Sequence, residues 1–168
     1  MLVESCYNRS IGCGAGRRGA DVIEWYEDWV PEELWEHAQA NFSGHLAMMF
    51  TYLAEHGLDV PDFIRYTGER AAPGWQECTS AADMMNGVLL NVLANGGGVL
   101  ESTLEEDQAT ATVTRLLNMD VMRHYGAAED ASEGCWDKFI PIATSLGLRF
   151  SWTRVGQGYE IRLDRLPE

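Results

Sequence analysis

A cysteine near the predicted start of a helix is the residue in this sequence best suited to chemistry. The run Ser132-Glu133-Gly134-Cys135 precedes helical residues, and Ser132 as the N-cap would place Cys135 in the first turn. Unpaired N–H groups and the positive end of the helix dipole stabilise a thiolate there and lower its pKa. His124 is suited to be the general base, with Asp120 or Glu133 orienting its ring. The alternative is that Cys135 is a small buried apolar residue.

Aromatic and methionine side chains support a second hypothesis, a pocket for a small apolar ligand. The chain has six Trp, six Tyr and five Phe, which is more aromatic surface than a minimal core needs. His45 lies among apolar residues, so it is either a hydrogen-bonded core histidine or a polar group in the pocket wall. An aromatic core without a cavity is the alternative. The predicted lining is His45, Trp25, Trp29, Phe42, Met49, Tyr52 and Trp152.

Metal and cofactor sites receive little support from the spacing of ligand-type residues. His45, His124 and a carboxylate such as Glu55 or Glu101 could hold a metal, but no His-Glu-x-x-His run is present. The run Gly12-Cys13-Gly14-Ala15-Gly16 superficially resembles a dinucleotide-binding loop, yet residues 6–10 make a poor buried strand before it. We therefore expect no bound metal and no cofactor.

The charge of the chain argues against two classes of partner. The formal net charge is −14, and such a surface repels nucleic-acid phosphates and anionic lipid headgroups. No apolar run approaches the roughly 20 residues of a membrane-spanning helix, and the first residues do not form a signal peptide. We expect a cytoplasmic protein, and its cysteines are then free thiols without a Cys-x-x-Cys pair.

The elements that must position these residues form two parts of one domain. Residues 1–20 are predicted to be an irregular arm, and residues 21–168 a single domain with a helical part at 21–97 and a sheet-containing part at 98–168. Pro31 is suited to the first turn of a helix that Gly57 ends. Ser80 is the predicted N-cap of a later helix. The first helix carries one apolar stripe, expected to face the core: Leu34, Ala38, Phe42, His45, Leu46, Met49 and Leu53.

Period-two alternation in the second half predicts an antiparallel sheet. Strands are predicted at 99–104, 109–117, 149–155 and 159–163, with helical residues from 119 to 146 between the two hairpins. Thr110, Thr112 and Thr114 alternate with apolar residues, which is typical of a sheet with one covered face. The predicted fold is therefore α+β, with an N-terminal helical layer packed on a four-stranded antiparallel sheet in β-β-α-α-β-β order.

The last third of the chain resembles two related families. The pattern consists of a strand, the cysteine-bearing run 132–135, a helix ending Ser145-Leu146-Gly147-Leu148 and a hairpin through Gly158-Tyr159-Glu160-Ile161. It is similar to the L-2-amino-thiazoline-4-carboxylic acid hydrolase-like group and to the ligand-binding domains related to 4-vinyl reductase. The second group often has further cysteines in the terminal hairpin, where this chain has Tyr159 and Ile161. The resemblance implies small-molecule handling, by a hydrolase of a small C–N bonded substrate or by a sensor.

Three functional hypotheses follow, and they make different demands on the structure. A hydrolase with Cys135 as nucleophile and His124 as base needs the thiol exposed in a cleft. A non-catalytic domain for a small apolar or aromatic ligand needs a closed apolar pocket. A structural subunit that docks a protein partner through an aromatic face needs an exposed apolar patch, sought at residues 25–35. The sequence leaves the oligomeric state open, a homodimer included.

Overall fold

The structure, a computed structural model, describes residues 30–167 and has an α+β fold. The predicted arm at 1–20 and the predicted ligand residues Trp25 and Trp29 lie outside the described residues. Two short 3₁₀ helices interrupt the chain, at Ala72–Trp75 and at Gly134–Lys138. The α-helices are α1 (Pro31–Glu55), α2 (Val60–Ala71), α3 (Ala81–Ala94), α4 (Met119–His124), α5 (Glu129–Glu133) and α6 (Phe139–Ser145). The strands are β1 (Val99–Leu104), β2 (Gln108–Val113), β3 (Leu148–Val155) and β4 (Gly158–Arg165).

Local sequence signals account for the ends of the long helices. Pro31 is the first residue of α1, and Gly57 just beyond its end has a φ of 68°, a conformation that glycine adopts without strain. The carboxylate of Asp59 accepts the N–H of Asp62 and caps α2. The hydroxyl of Ser80 accepts the N–H of Asp83 and caps α3, which confirms the predicted N-cap.

The four strands form one antiparallel sheet in the order β1-β2-β4-β3. The two hairpins are joined through β2 and β4, where Ala111 lies opposite Ile161 and Val113 opposite Tyr159. Alternate residues of β2 and β4 point to a buried inner face, while Thr110 and Thr112 point to the open outer face. The period-two prediction is therefore confirmed, and the β-β-α-α-β-β order gains a third short helix between the hairpins.

The core lies between the inner face of the sheet and the helices that cover it. Helix α3 packs on the β1–β2 half, while α6 packs on β3 and on the 3₁₀ helix Gly134–Lys138. The largest fully buried side chains include Trp136, Phe139, Met84, Met85 and Met122. The methionines fill the core, as unbranched and adaptable side chains commonly do.

Helix α2 closes against the 3₁₀ helix Gly134–Lys138 at a glycine. A Cβ atom added at Gly68 would overlap the backbone carbonyl of Lys138 and lie 2.7 Å from Cγ of Pro141. Only a residue without a side chain allows this approach. Because α2 and the 3₁₀ helix are pressed together here, the segment that carries Cys135 is packed into the protein.

The prediction for the apolar stripe of α1 is wrong for four of its seven members. Leu34, Ala38, Phe42 and His45 are exposed, although Leu46, Met49 and Leu53 pack partly against the core. The buried face of α1 instead presents Ser43, Gly44, Ala47 and Phe50. Small side chains allow close contact with α4, since a Cβ atom at Gly44 would lie 3.0 Å from the ring of Tyr125. A hydrophobicity pattern identifies the large residues, whereas α1 packs mainly through its small ones.

Between residues 30 and 167, no helix combines the length and the apolar character needed to cross a bilayer.

Candidate functional site

The prediction that Ser132 is an N-cap is wrong. Helix α5 begins after Ala128, and Ser132 is buried inside it, where its hydroxyl donates to the carbonyl of Ala128 at 2.9 Å. Cys135 follows in the 3₁₀ helix, and its Sγ lies 3.8 Å from the carbonyl oxygen of Ala131. The helical turns are continuous through this segment, so the N–H groups around Cys135 are not those of a free first turn.

The environment of Cys135 favours the protonated thiol. The residue is 6% exposed, and burial raises the pKa of its thiol to about 12. The nearby Lys138 acts in the opposite direction, and Asp137 adds to the increase. Desolvation also lowers the pKa of Lys138, whose ammonium lies 4.7 Å from the centre of the Phe139 ring. A nucleophilic cysteine requires the reverse arrangement, an accessible thiol with a lowered pKa.

The proposed base, His124, is exposed, whereas the thiol of Cys135 is buried. His124 is exposed at the end of α4, with its ring 5.1 Å from that of Tyr125. Within the described part of the chain, the one hydrogen bond of the Cys135 thiol goes to the backbone of Ala131. Asp120, one of the two residues expected to orient His124, binds Arg123 at 2.8 Å. The contacts shown for Cys135 and Asp120 thus go to residues other than His124.

Glu133, the other predicted orienting residue, belongs to a polar seam that the sequence analysis missed. Its Oε1 accepts the hydroxyl of Tyr159 and a guanidinium N–H of Arg154, each at 2.9 Å. One turn further, Asp137 accepts the indole N–H of Trp152 at 2.8 Å. Burial raises the pKa of Tyr159 to about 12, and the Glu133 carboxylate adds to the increase. The seam ties the helical segment to β3 and β4 and holds the phenol protonated.

The sequence contained one signal for this seam. Acidic residues recur at 129, 133 and 137, a spacing of four that places them on one side of a helix. Their partners come from the terminal hairpin, more than ten residues away, and the hairpin register that aligns them is visible only in the fold. Trp152, predicted to line a pocket, donates its indole N–H to Asp137.

The outer face of the sheet has a shallow open depression of about 160 Å³. It is lined by hydroxyls and carboxylates, among them Thr110, Thr112, Glu101 and Glu160. Polar walls and an open mouth do not suit a small apolar ligand, which binds in concave, mostly apolar pockets. Across residues 30–167, no three His, Cys, Asp or Glu side chains are grouped closely enough to hold a metal ion.

The four remaining predicted ligand residues lie on α1, where three are exposed and Met49 packs partly against the core. Phe42, His45, Met49 and Tyr52 follow one another at helical spacing, and the His45 ring makes a 2.7 Å contact with the carbonyl of Asn41. The structure thus has four of the seven predicted residues on one helix, but the three exposed ones lie on its convex side. The ring of Tyr52 stacks on His56 with centroids 4.0 Å apart.

The exposed side chains of this helix define what we call the α1 apolar face. Between 46% and 57% of the surface of each remains accessible, in a helix of 25 residues. At 3.6 residues per turn they fall within roughly 140° of the helix circumference, so they form one surface. The face consists of Leu34, Trp35, Phe42, Met48 and Tyr52.

Comparison with known proteins gives no relative for this chain. No family model matches it, and neither a curated protein nor a solved structure gives a match. The resemblance of the last third to the hydrolase-like group and to the 4-vinyl reductase-related domains therefore stays a prediction from its residues. The function must be argued from the geometry of the chain itself.

Proposed function

We propose that this chain is a docking domain that binds a basic amphipathic helix of a partner protein on the α1 apolar face. The observation that supports the proposal is the exposure of five large apolar side chains along one helix. At roughly 100 Å² each they present on the order of 500 Å² of apolar surface, at the upper end of what a monomer leaves uncovered. Trp35 lies within the segment where the docking hypothesis expected an aromatic surface.

The shape of this surface suits a protein better than a small molecule. A drug-sized ligand has most of its area buried in a concavity, whereas the outer side of a helix contacts a ligand from one direction. A second amphipathic helix matches such a surface along its length, with anchors repeating at three- and four-residue intervals. Aromatic anchors such as Trp35 and Tyr52 are typical of the residues that dominate binding energy.

The charge of α1 defines the chemistry of the partner. The helix carries four glutamates, at 32, 33, 36 and 55, and has no lysine or arginine. The whole chain has a net charge of −14. A partner helix with Lys or Arg beside its apolar stripe is attracted to this surface, while an acidic helix is repelled.

The hydrolase and small-ligand hypotheses remain predictions from the sequence. The buried, protonated state of Cys135 gives the hydrolase hypothesis no support, and the open polar depression on the sheet gives none to an apolar pocket. A hydrolase acting on a small C–N bonded substrate would need a different arrangement around the thiol.

A synthetic peptide tests the proposal without knowledge of the natural partner. The probe is a fluorescent helix of Leu and Lys in an amphipathic pattern, compared with a scrambled peptide of the same composition and charge. We expect the full chain to bind the amphipathic peptide, and Phe42→Glu to weaken that binding by about tenfold or more because it places a charge in the apolar face. Fluorescence anisotropy measures both affinities.

A matched control separates docking from simple charge attraction. Tyr66 on α2 is also about half exposed, so Tyr66→Glu makes the same change in charge on another surface. We expect it to leave the affinity within about twofold. Equal binding of the scrambled peptide, or equal effects of the two variants, would show that the peptide responds only to the net charge and would refute the proposal.

A further inference from the structure

A second apolar surface, independent of α1, lies where α3 meets the edge of the sheet. From Met84 to Leu100 the chain has no charged residue, although 23% of all its residues are charged. Helix α3 packs on β1 and β2, and a loop of four residues, 95–98, leads from its end into β1. We call this surface the leucine edge; it consists of Leu93 from α3 and Leu100 and Leu104 from β1, which are 39% to 67% exposed.

Strand β1 presents free backbone groups at this edge. Within residues 30–167 it pairs with β2 alone. The N–H of Glu105 donates to the carbonyl of Gln108, and hydrogen-bonded pairs alternate along an antiparallel ladder. Glu101 and Thr103 therefore bond to β2, whereas Ser102 and Leu104 direct their N–H and C=O groups away from the sheet.

The edge lacks most of the features that keep strands apart. Natural edge strands are commonly protected by lysine, proline or inward-pointing charges. Strand β1 has no lysine and no proline, and its one irregularity is a shift in register between Val99 and Glu101. A strand without lysine or proline, whose register shift is confined to one end, is suited to pair with another strand beside exposed leucines.

We propose that the leucine edge binds a second copy of this chain through antiparallel pairing of β1 with β1. A twofold axis at Ser102 makes Ser102 face its own copy and places Leu100 opposite Leu104. The same register sets Glu101 against Thr103, so the two Glu101 carboxylates are diagonal neighbours across the new ladder and not directly opposite each other. The four strands of each copy then join in one eight-stranded sheet, with Leu93 of both copies on one side.

Charge distinguishes the partner proposed for the leucine edge, a second copy of the chain, from the basic helix proposed for α1. Two chains of net charge −14 repel each other, and the repulsion is least where they meet through an uncharged surface. The glutamates of α1 make that helix a poor contact for a second copy, whereas the uncharged run from Met84 to Leu100 leaves Glu101 as the one charged residue of β1. The pairing of β1 does not depend on the docking function of α1.

Sedimentation velocity of the full chain tests the proposal. We expect a dimer of two 18.7 kDa chains as the protein concentration rises to about 100 μM. Leu93→Glu should weaken the dimer by about tenfold or more, because it places a buried like-charge pair in the contact. Ser102→Pro should weaken it as well, because it removes an outward N–H while the bonds of Glu101 and Thr103 to β2 remain.

Two controls make each outcome decisive. Phe42→Glu and Tyr66→Glu add the same charge on α1 and α2 and should leave the dimer unchanged. Circular dichroism and thermal unfolding check that each variant is folded. A monomer at every concentration overturns the proposal, as does a dimer that Phe42→Glu abolishes or that both Leu93→Glu and Ser102→Pro leave intact. Failure of the dimer has no bearing on peptide binding by α1, which is measured separately.

Discussion

The reactivity of Cys135 toward alkylation gives the sharpest test of how this site works. At pH 8 a thiol with a pKa of about 12 has roughly one molecule in 10⁴ ionised, while an unfolded cysteine with a pKa near 8.5 is about one quarter ionised. A more basic thiolate is a better nucleophile, with a Brønsted coefficient of about 0.4 to 0.5. This higher reactivity offsets part of the difference in ionised fraction between the folded and the unfolded chain. The remaining effect is a rate roughly 50 to 100 times lower in the folded chain, before any steric protection.

The assay is reaction with iodoacetamide, followed at each cysteine by peptide mass mapping in the folded and in the urea-unfolded chain. We expect Cys135 to react more slowly than the half-buried Cys78, and His124→Ala to leave its rate unchanged. A hydrolase with His124 as the base predicts the reverse, since the base would generate the thiolate. Faster alkylation of Cys135 in the folded chain than in the unfolded chain would refute our description of the thiol as a buried core group.

Two further predictions concern stability. Gly68→Ala should lower the free energy of unfolding by about 2 kcal/mol despite the better helix propensity of alanine, because the new Cβ overlaps the Lys138 carbonyl. The control is Gly74→Ala, where a new Cβ meets nothing within 4 Å and the free energy of unfolding should change by less than about 0.5 kcal/mol. Chemical denaturation measures both variants, and equal losses of stability would contradict the close approach at Gly68. Hydrogen bonds from Arg162, with a further one from Arg149, hold the pKa of Asp164 below its usual range. The stability that the Asp164 carboxylate adds is then present above about pH 4 and is lost as the pH falls through its folded pKa. We expect Asp164→Asn to reduce the free energy of unfolding by about 1 kcal/mol at pH 7. In an acid titration the variant and the natural chain should become equally stable at about pH 2. A constant difference across that range would contradict the assignment.

The sheet could be predicted from the sequence because its signal is local. Alternation along Ala109, Ala111 and Val113 on one hairpin, and along Tyr159, Ile161 and Leu163 on the other, appears directly as buried inner residues. The order of the strands could not be predicted in the same way. That β4 joins β2 and leaves β1 at an edge depends on how the two hairpins meet through helices that separate them in the chain.

The candidate site was harder to predict because its residues are fixed by contacts distant in the sequence. Ser132 looks like a cap from its neighbours, but the helix begins earlier, and Glu133 is held by Arg154 and Tyr159 of the terminal hairpin. The α1 stripe was correctly identified as apolar, yet its burial depends on which side meets α4. The small residues Ser43 and Gly44 decide that choice, and they carry almost no hydrophobic signal.

The two proposed surfaces respond to salt in opposite directions, which provides a test that neither set of substitutions gives alone. Binding of a basic helix to α1 draws on attraction between unlike charges, so screening by salt should weaken it. Association of two chains of net charge −14 through the leucine edge works against repulsion of like charges, so the same screening should strengthen it. Raising the salt from about 0.05 to 0.5 M should therefore lower peptide affinity and raise the dimer fraction in one preparation. If salt raised both the peptide affinity and the dimer fraction, or lowered both, the assignment of the two partners by charge would fail.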